Sequence, residues 1–285
     1  MADLDVHLAA RAQLAASVPP SLRERVMARE WYHTIELAQD LLTPGFFDHR
    51  TAAARILPRT LNGRRCLDVA TMDGFWAIEM TVRAADEVVA LDVPEPSDWD
   101  WPPGCDEAVI AAISARKGAG DGFSIAMEAL HYDIERVEQS VYDLDPADVG
   151  QFDFVYVGSL LLHLRDPVRA LERVRSVCCG ELLLVENFDP ITTLLHPRRP
   201  VATFDGIGRP WWWRLNLAAL ERVVTSAGFE LIGSPQRLRF PRGKGWVMPP
   251  LRLTSLRVPA LRTELREGLL GDPHLALQAR PRPGA

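Results

Sequence analysis

Lysine is almost missing from this chain. Among its 32 basic residues only Lys117 and Lys244 are lysines, a bias that speaks of a GC-rich genome and assigns the lysines no binding role. Cysteine is scarce too. Cys66, Cys105, Cys178 and Cys179 contain no Cys-x-x-Cys pair, so neither a zinc site nor a disulfide framework is expected, and a reducing cytoplasm fits best. Long apolar runs are absent. Stretches such as Glu181–Val185 fall far short of the roughly 20 residues that cross a bilayer, and charges interrupt the N-terminus, so neither a membrane span nor a signal peptide is expected. Positive charge is not in excess either. A net charge of -6 and a pI near 5.7 argue against a nucleic-acid partner, because neutralising phosphates calls for a clustered basic surface.

What is present suits a folded α/β protein. With 285 residues, 47% of them apolar, and a mean hydropathy of -0.04, the chain can form one domain of roughly 200 to 250 residues plus an extension. Residues 1–60 read as a helical N-terminal extension and lid: a helix before Pro19-Pro20, a second beginning at Ser21 as N-cap, an irregular aromatic stretch turning at Pro44-Gly45, and a return toward helix over 51–61. Residues 61–285 form the main domain. Strands are expected at 65–69, 87–91, 134–140, 152–157 and 181–186, alternating with helices at 75–83, 123–130 and 167–177, and a later helix is capped by Asn216. Apolar strands alternating with amphipathic helices mean a parallel sheet covered on both faces. Segments 229–239 and 274–279 lack a crossover helix between them and read as an antiparallel pair at the sheet edge.

In such a sheet the ligand lies outside the carboxyl ends of the strands, and the first strand-to-helix turn approaches it most closely. Here that turn is Ala70 to Gly74, in "CLDVATMDGFWAIEM". Gly74 can supply a positive φ or close packing, and Ala70 is the smallest substitute for glycine; Met72 is awkward. By itself the loop fits a cofactor turn and plain packing equally. The second strand ends in Asp92, placed to accept hydrogen bonds from both hydroxyls of a ribose. Val141 and Tyr142 could flank an adenine, and Val157, Gly158 and Ser159 could meet the ligand's far end. A pyrophosphate would want free N–H groups at a helix start, which Met72 and Asp73 suit poorly. S-adenosylmethionine, with a sulfonium and an amino acid instead, tolerates an acidic loop containing Asp68 and Asp73.

The motifs "WYHTIEL", "TPGFFDHR", "LDVATMDGFWAIEM", "SVYDLDP", "GSLLLHLRDPVRALERV" and "WWWRLNLAALERVVTSAGFELI" resemble those of class I S-adenosylmethionine-dependent methyltransferases, in particular the group related to tRNA wobble-uridine carboxymethyltransferases. The resemblance runs from about Trp31 to Phe229. It implies a Rossmann-like, mostly parallel seven-stranded sheet with an antiparallel edge pair. It also implies cofactor contacts at Ala70, Asp92 with Val93, Val141 with Tyr142, and Val157 to Ser159, with Phe47 closing over the methionine end and Arg50 meeting its carboxylate. The tRNA-modifying relatives recognise a carboxylated cofactor with a tyrosine where this chain has Leu162, and with a lysine replaced here by Ala52 or a neighbour. Those departures favour plain methyl transfer.

Displacement at a sulfonium is limited mainly by positioning the nucleophile, and a phenol or alcohol benefits from a general base. His33 and His163 are the candidates, against structural readings in which His33 holds the lid and His163 binds a backbone carbonyl; Glu36 and Glu186 are reserves. Tyr32, Glu36, Glu186, Trp211, Trp212 and Trp213 are candidate acceptor contacts. For the tryptophans the alternative is that Trp211 and Trp213 pack the lid while Trp212 lies on the surface. The insertion "PEPSDWDWPPGCDEAVI" is expected at the rim. The favoured function is methyl transfer to oxygen or nitrogen of a small, specialised-metabolite acceptor. A tRNA-modifying enzyme and a non-catalytic adenosine-binding protein are the alternatives, and neither membrane nor metal is expected.

Overall fold

Strand β1, Arg65–Val69, is apolar on both faces because it runs through the middle of the sheet: Cys66 packs into one core, while Leu67 and Val69 pack into the other. The structure, a computed structural model, describes residues 13–93, 95–118, 120–204, 210–248 and 259–284. Six further strands join β1: β2 (Glu87–Asp92), β3 (Glu135–Glu138), β4 (Phe152–Gly158), β5 (Cys178–Asn187), β6 (Phe229–Phe240) and β7 (Asp272–Pro281). From one edge the order is β3-β2-β1-β4-β5-β7-β6. The first five run parallel, and β7 is antiparallel to both β5 and β6. The expected mostly parallel, seven-stranded Rossmann-like sheet with an antiparallel edge pair is therefore present, but the segment between β6 and β7 contains a helix, Pro259–Leu270, where none was expected. The sheet departs from the dinucleotide-binding order 3-2-1-4-5-6 by the antiparallel strand set between the fifth and sixth.

Helices cover both faces. The helix Pro167–Val177 buries Ala170, Leu171, Val174 and Val177, spacings of one helical face. Pro167 opens it, and the Asp166 carboxylate accepts the Arg169 N–H at 3.0 Å. Helix Leu217–Ser226 is capped as expected, with Asn216 accepting the Ala219 N–H at 2.9 Å. No helix among the described residues is long and apolar enough to cross a membrane.

The N-terminal extension differs from expectation. Its first expected helix lies largely outside the described residues. The second, Pro20–Met27, starts at Pro20 rather than being capped by Ser21, because proline in the first turn needs no N–H partner. Residues 31–47, expected to be irregular, form short strands: Trp31–His33 pairs parallel with Gly45–Phe47, and Glu36–Ala38 pairs antiparallel with Leu41–Leu42. The Thr43 hydroxyl ties this unit together, accepting the Ile35 N–H and donating to the His33 carbonyl, both at 2.7 Å. A Cβ on Gly45 would lie 2.2 Å from the His33 carbonyl carbon, so only glycine permits this approach. Helix Arg50–Ile56 follows. Trp31, Leu37, Phe47 and Ala53 share the core that holds Trp76 and Phe123, which fixes residues 31–56 over the strand tips. The insertion after β2 contains an unexpected helix, Glu107–Lys117, capped by Asp106.

Candidate functional site

One cavity of about 720 Å³ follows the carboxyl edge of the sheet, lined from Gln139 beyond β3 to Phe240 at the end of β6. At its centre is the β1 turn. Ala70 (φ 63°) and Met72 (φ 55°) both adopt left-handed backbone, a conformation that costs side-chain-bearing residues roughly 1–2 kcal/mol. Local hydrogen bonds hold it: the Ala70 and Thr71 N–H groups donate to the Leu91 carbonyl, Gly74 to Thr71, and Met72 to Asp92 Oδ2. These N–H groups are engaged within the protein, so the turn offers them to no pyrophosphate. Gly74 (φ 87°) serves packing, because a Cβ there would lie 2.8 Å from the Phe123 ring. Asp68 lies beneath the turn, accepting the Thr71 hydroxyl at 2.6 Å and the Ala77 N–H at 3.1 Å. Burial pushes its carboxyl up to about 7. Neither Gly74 nor Asp68 lines the cavity; Ala70 and Met72 do.

Asp92 is in the wall as expected, but it is already engaged. Its Oδ1 accepts the Val93 N–H at 2.9 Å, its Oδ2 accepts the Met72 N–H at 2.9 Å, and Lys117 Nζ stands 2.7 Å from Oδ2 as a buried ion pair. A carboxylate offers about four lone-pair positions, so about one is left for a ribose; both hydroxyls can bond it only if Lys117 withdraws. The scarce lysine thus has a place at the site that composition did not disclose. Burial lowers the Lys117 ammonium, opposed by Asp92. Val93, Val141 and Tyr142 complete this end. The Tyr142 hydroxyl donates to Asp100 at 2.7 Å and accepts the Asp166 N–H at 3.0 Å. Asp98 to Trp101 and Ala108 to Val109 bring the insertion to the rim.

Beyond β4, alternation decides which residues face the ligand space. Gly158 and Ser159 line it together with Tyr156, whereas Val157 points into the opposite core. Glu186 is not in the wall. It lies buried below the β4 loop, accepting the Leu160 and Leu161 N–H groups at 2.7 and 2.9 Å, and burial pushes it up to about 8. His163 lines the cavity, and its Nδ1 bonds the Pro210 carbonyl at 2.7 Å; burial lowers its imidazole.

The inner end is aromatic. His33 Nδ1 bonds the Asp73 carboxylate, whose other oxygen accepts the Tyr32 and His33 N–H groups at 2.9 and 2.8 Å. Asp73 therefore fastens the 31–33 strand to the β1 turn and orients the His33 ring, which stacks on Phe75. Tyr32, His33 and Phe47 line the cavity, but Arg50 and Glu36 do not. The Arg50 guanidinium forks onto Asp48 at 2.9 and 2.7 Å, leaving its neighbour His49 to face inward. Sequence reading missed His49, Tyr156, His274, Arg242 and Lys117. The available signals were the i, i+2 relations of Tyr156 to Gly158 and of His49 to Phe47; His274, Arg242 and Lys117 come from distant segments.

The three tryptophans divide. Trp211 lines the cavity, Trp212 is buried with its indole N–H on the Asp100 carbonyl, and Trp213 is half-buried, bonding the Leu164 carbonyl at 3.1 Å. Trp212 is thus the opposite of a surface residue, because the rim insertion packs over it.

No protein-family model matches the chain, and no curated protein matches it. Among solved structures it is similar to the 1,6-didemethyltoxoflavin-N1-methyltransferase of Burkholderia thailandensis, determined with 1,6-didemethyltoxoflavin and S-adenosylhomocysteine bound. Identity is 15% over 82% of this chain and 77% of that one, with a TM-score of 0.47. It is also similar to an S-adenosylmethionine-dependent methyltransferase from Mesorhizobium loti, at 18% identity over 81% of this chain and 97% of that one, with a TM-score of 0.42. At such identities, what the cavity binds has to be read from its own atoms.

Proposed function

We propose that the protein is a cytoplasmic S-adenosylmethionine-dependent methyltransferase acting on oxygen or nitrogen of a small organic acceptor. The observation that carries this reading is the β1 turn: it sits at the switch point of the sheet beside a carboxylate on the next strand tip, yet the N–H groups of Ala70, Thr71, Met72 and Gly74 are engaged internally. An adenosyl ligand without phosphates suits that arrangement, and a dinucleotide does not. Val93, Val141 and Tyr142 would hold the adenine, Asp92 a ribose hydroxyl, and Phe47, Gly158 and Ser159 the amino-acid end. When bound, the cofactor supplies a methyl group already activated on a sulfonium.

His33 is the favoured general base. A ring nitrogen held by a carboxylate fixes the tautomer and leaves Nε2 to take a proton, and Asp73 stabilises the imidazolium that results. His163 has only a carbonyl behind it and suits a positioning role at the rim.

Calorimetry tests the cofactor assignment. S-adenosylmethionine should bind in the micromolar range and NAD should not; tight NAD binding without S-adenosylmethionine binding would overturn it. His33→Ala should retain cofactor affinity while losing transfer of labelled methyl into the small-molecule fraction of a cell extract. Label appearing in bulk tRNA instead would make the acceptor a nucleic acid.

A further inference from the structure

The inner end of the cavity contains buried polar atoms without partners. His49 is 2% exposed and Tyr156 is 1% exposed; neither ring nitrogen of His49 nor the Tyr156 hydroxyl has a hydrogen-bond partner. Both residues line the cavity. Leaving such a group unsatisfied costs roughly 1–3 kcal/mol, and buried polar atoms are normally paired. Unpaired donors and acceptors on residues that border one cavity mark a place where something else completes them.

The surroundings define its chemistry. The Phe240 ring lies 3.9 Å from the His49 ring, Trp76 lies 5.7 Å from it, and Trp76 stacks on Tyr156 at 4.2 Å. Flat apolar faces therefore frame the polar atoms. The nearby charges are matched to one another, with Arg242 2.8 Å from Asp272 and 3.5 Å from Glu267. Burial, reinforced by His33 and His274, lowers the His49 imidazole well below its ordinary range, and burial raises the Tyr156 phenol. The two groups are neutral near pH 7, able to donate and accept hydrogen bonds but not to balance a ligand charge.

We infer that this end is the acceptor subsite and takes an uncharged, planar aromatic or heteroaromatic molecule whose hydroxyl or ring N–H is bonded by His49 and Tyr156. Its identity as an acceptor site rests on the methyltransferase reading of the outer end, whereas its ligand chemistry does not. His49 and Tyr156 act here as positioning residues beside His33, whose ring centroid is 4.9 Å from that of His49.

The test uses 2-naphthol and 2-naphthoate as probes, titrated by calorimetry into the full chain with and without S-adenosylhomocysteine. Naphthol should bind without displacing S-adenosylhomocysteine, and naphthoate at least about tenfold more weakly, as expected where a carboxylate finds no counter-charge. His49→Phe and Tyr156→Phe should each weaken naphthol about tenfold, the size of one buried hydrogen bond, while S-adenosylhomocysteine affinity stays within about twofold. Both replacements keep an aromatic ring, and circular dichroism verifies their folding. No naphthol binding at millimolar concentration, displacement of S-adenosylhomocysteine by naphthol, wild-type affinity for naphthol in both variants, or a preference for naphthoate would overturn the inference. Naphthol binding that depends on His49 and Tyr156 while S-adenosylhomocysteine does not bind would leave the ligand pocket standing and remove the methyl-donor reading.

Discussion

The two ends of the cavity are built on opposite principles. At the outer end Asp92 faces two backbone N–H groups and Lys117, and the Tyr142 hydroxyl lies between Asp100 and Asp166. At the inner end the His49 ring and the Tyr156 hydroxyl are enclosed by aromatic rings with no partner. A ligand entering the outer end must exchange existing interactions, so binding there selects by geometry more than by raw gain. A ligand entering the inner end completes missing bonds, and the folded protein tolerates their absence until then. Functional sites often retain such local destabilisation.

The sharpest way to break this contrast is to remove the cation at the outer end. Lys117→Met leaves Asp92 without its buried counter-ion and should lower stability by about 3–5 kcal/mol, read from urea unfolding. A loss below about 1 kcal/mol would show that the two N–H bonds to Asp92 suffice, and that the outer end is not built around the ion pair.

Acid separates the ends next. His274 bonds Ser159 at 2.9 Å through Nε2, and burial lowers its imidazole from 6.5 to about 4. The unfolded chain takes up this proton as pH falls through about 6.5, while the folded protein resists until about 4. The associated stability is therefore present above 6.5 and lost on acidification. Between pH 7 and pH 5 the wild type should lose on the order of 2 kcal/mol more than His274→Gln. Parallel pH profiles would mean that the ring is not held neutral.

The smallest effects compare two tyrosines. Tyr142→Phe removes a satisfied hydroxyl and should cost about 1 kcal/mol, whereas Tyr156→Phe removes an unsatisfied one and should be neutral or stabilising by up to roughly 1–3 kcal/mol. Matching losses in thermal unfolding would show that Tyr156 has a partner, and the contrast between the ends would disappear.

Much of the layout was legible because it depends on periodicity. The strand and helix alternation and the Asn216 cap follow from local pattern, and Asp92, Ala70, Gly158 and Tyr142 reach the cavity because they stand at strand tips; the antiparallel edge pair forms although the helix Pro259–Leu270, which local pattern did not disclose, lies between its strands. The errors share one cause. Asp68, Asp92 and Glu186 are acids at strand ends, yet Asp68 and Glu186 turn beneath their loops to hold backbone N–H groups. Arg50 and His49 are adjacent, but Arg50 turns to Asp48 and His49 enters the cavity. Residues 31–47 carry no period of their own, and their short strands form around Thr43 and the close approach at Gly45.

By itself, the amino-acid order determined which segments become strands and helices, and hence that a row of loops would gather at one edge of a parallel sheet. Tertiary structure alone decided which polar groups at that edge are satisfied and which are left open. Burying a charge or hydrogen-bonding group is tolerable only with a partner, and the partners of Asp92, His33 and His274 come from segments distant in the chain. Local pattern cannot specify a pairing that exists only after those segments pack together.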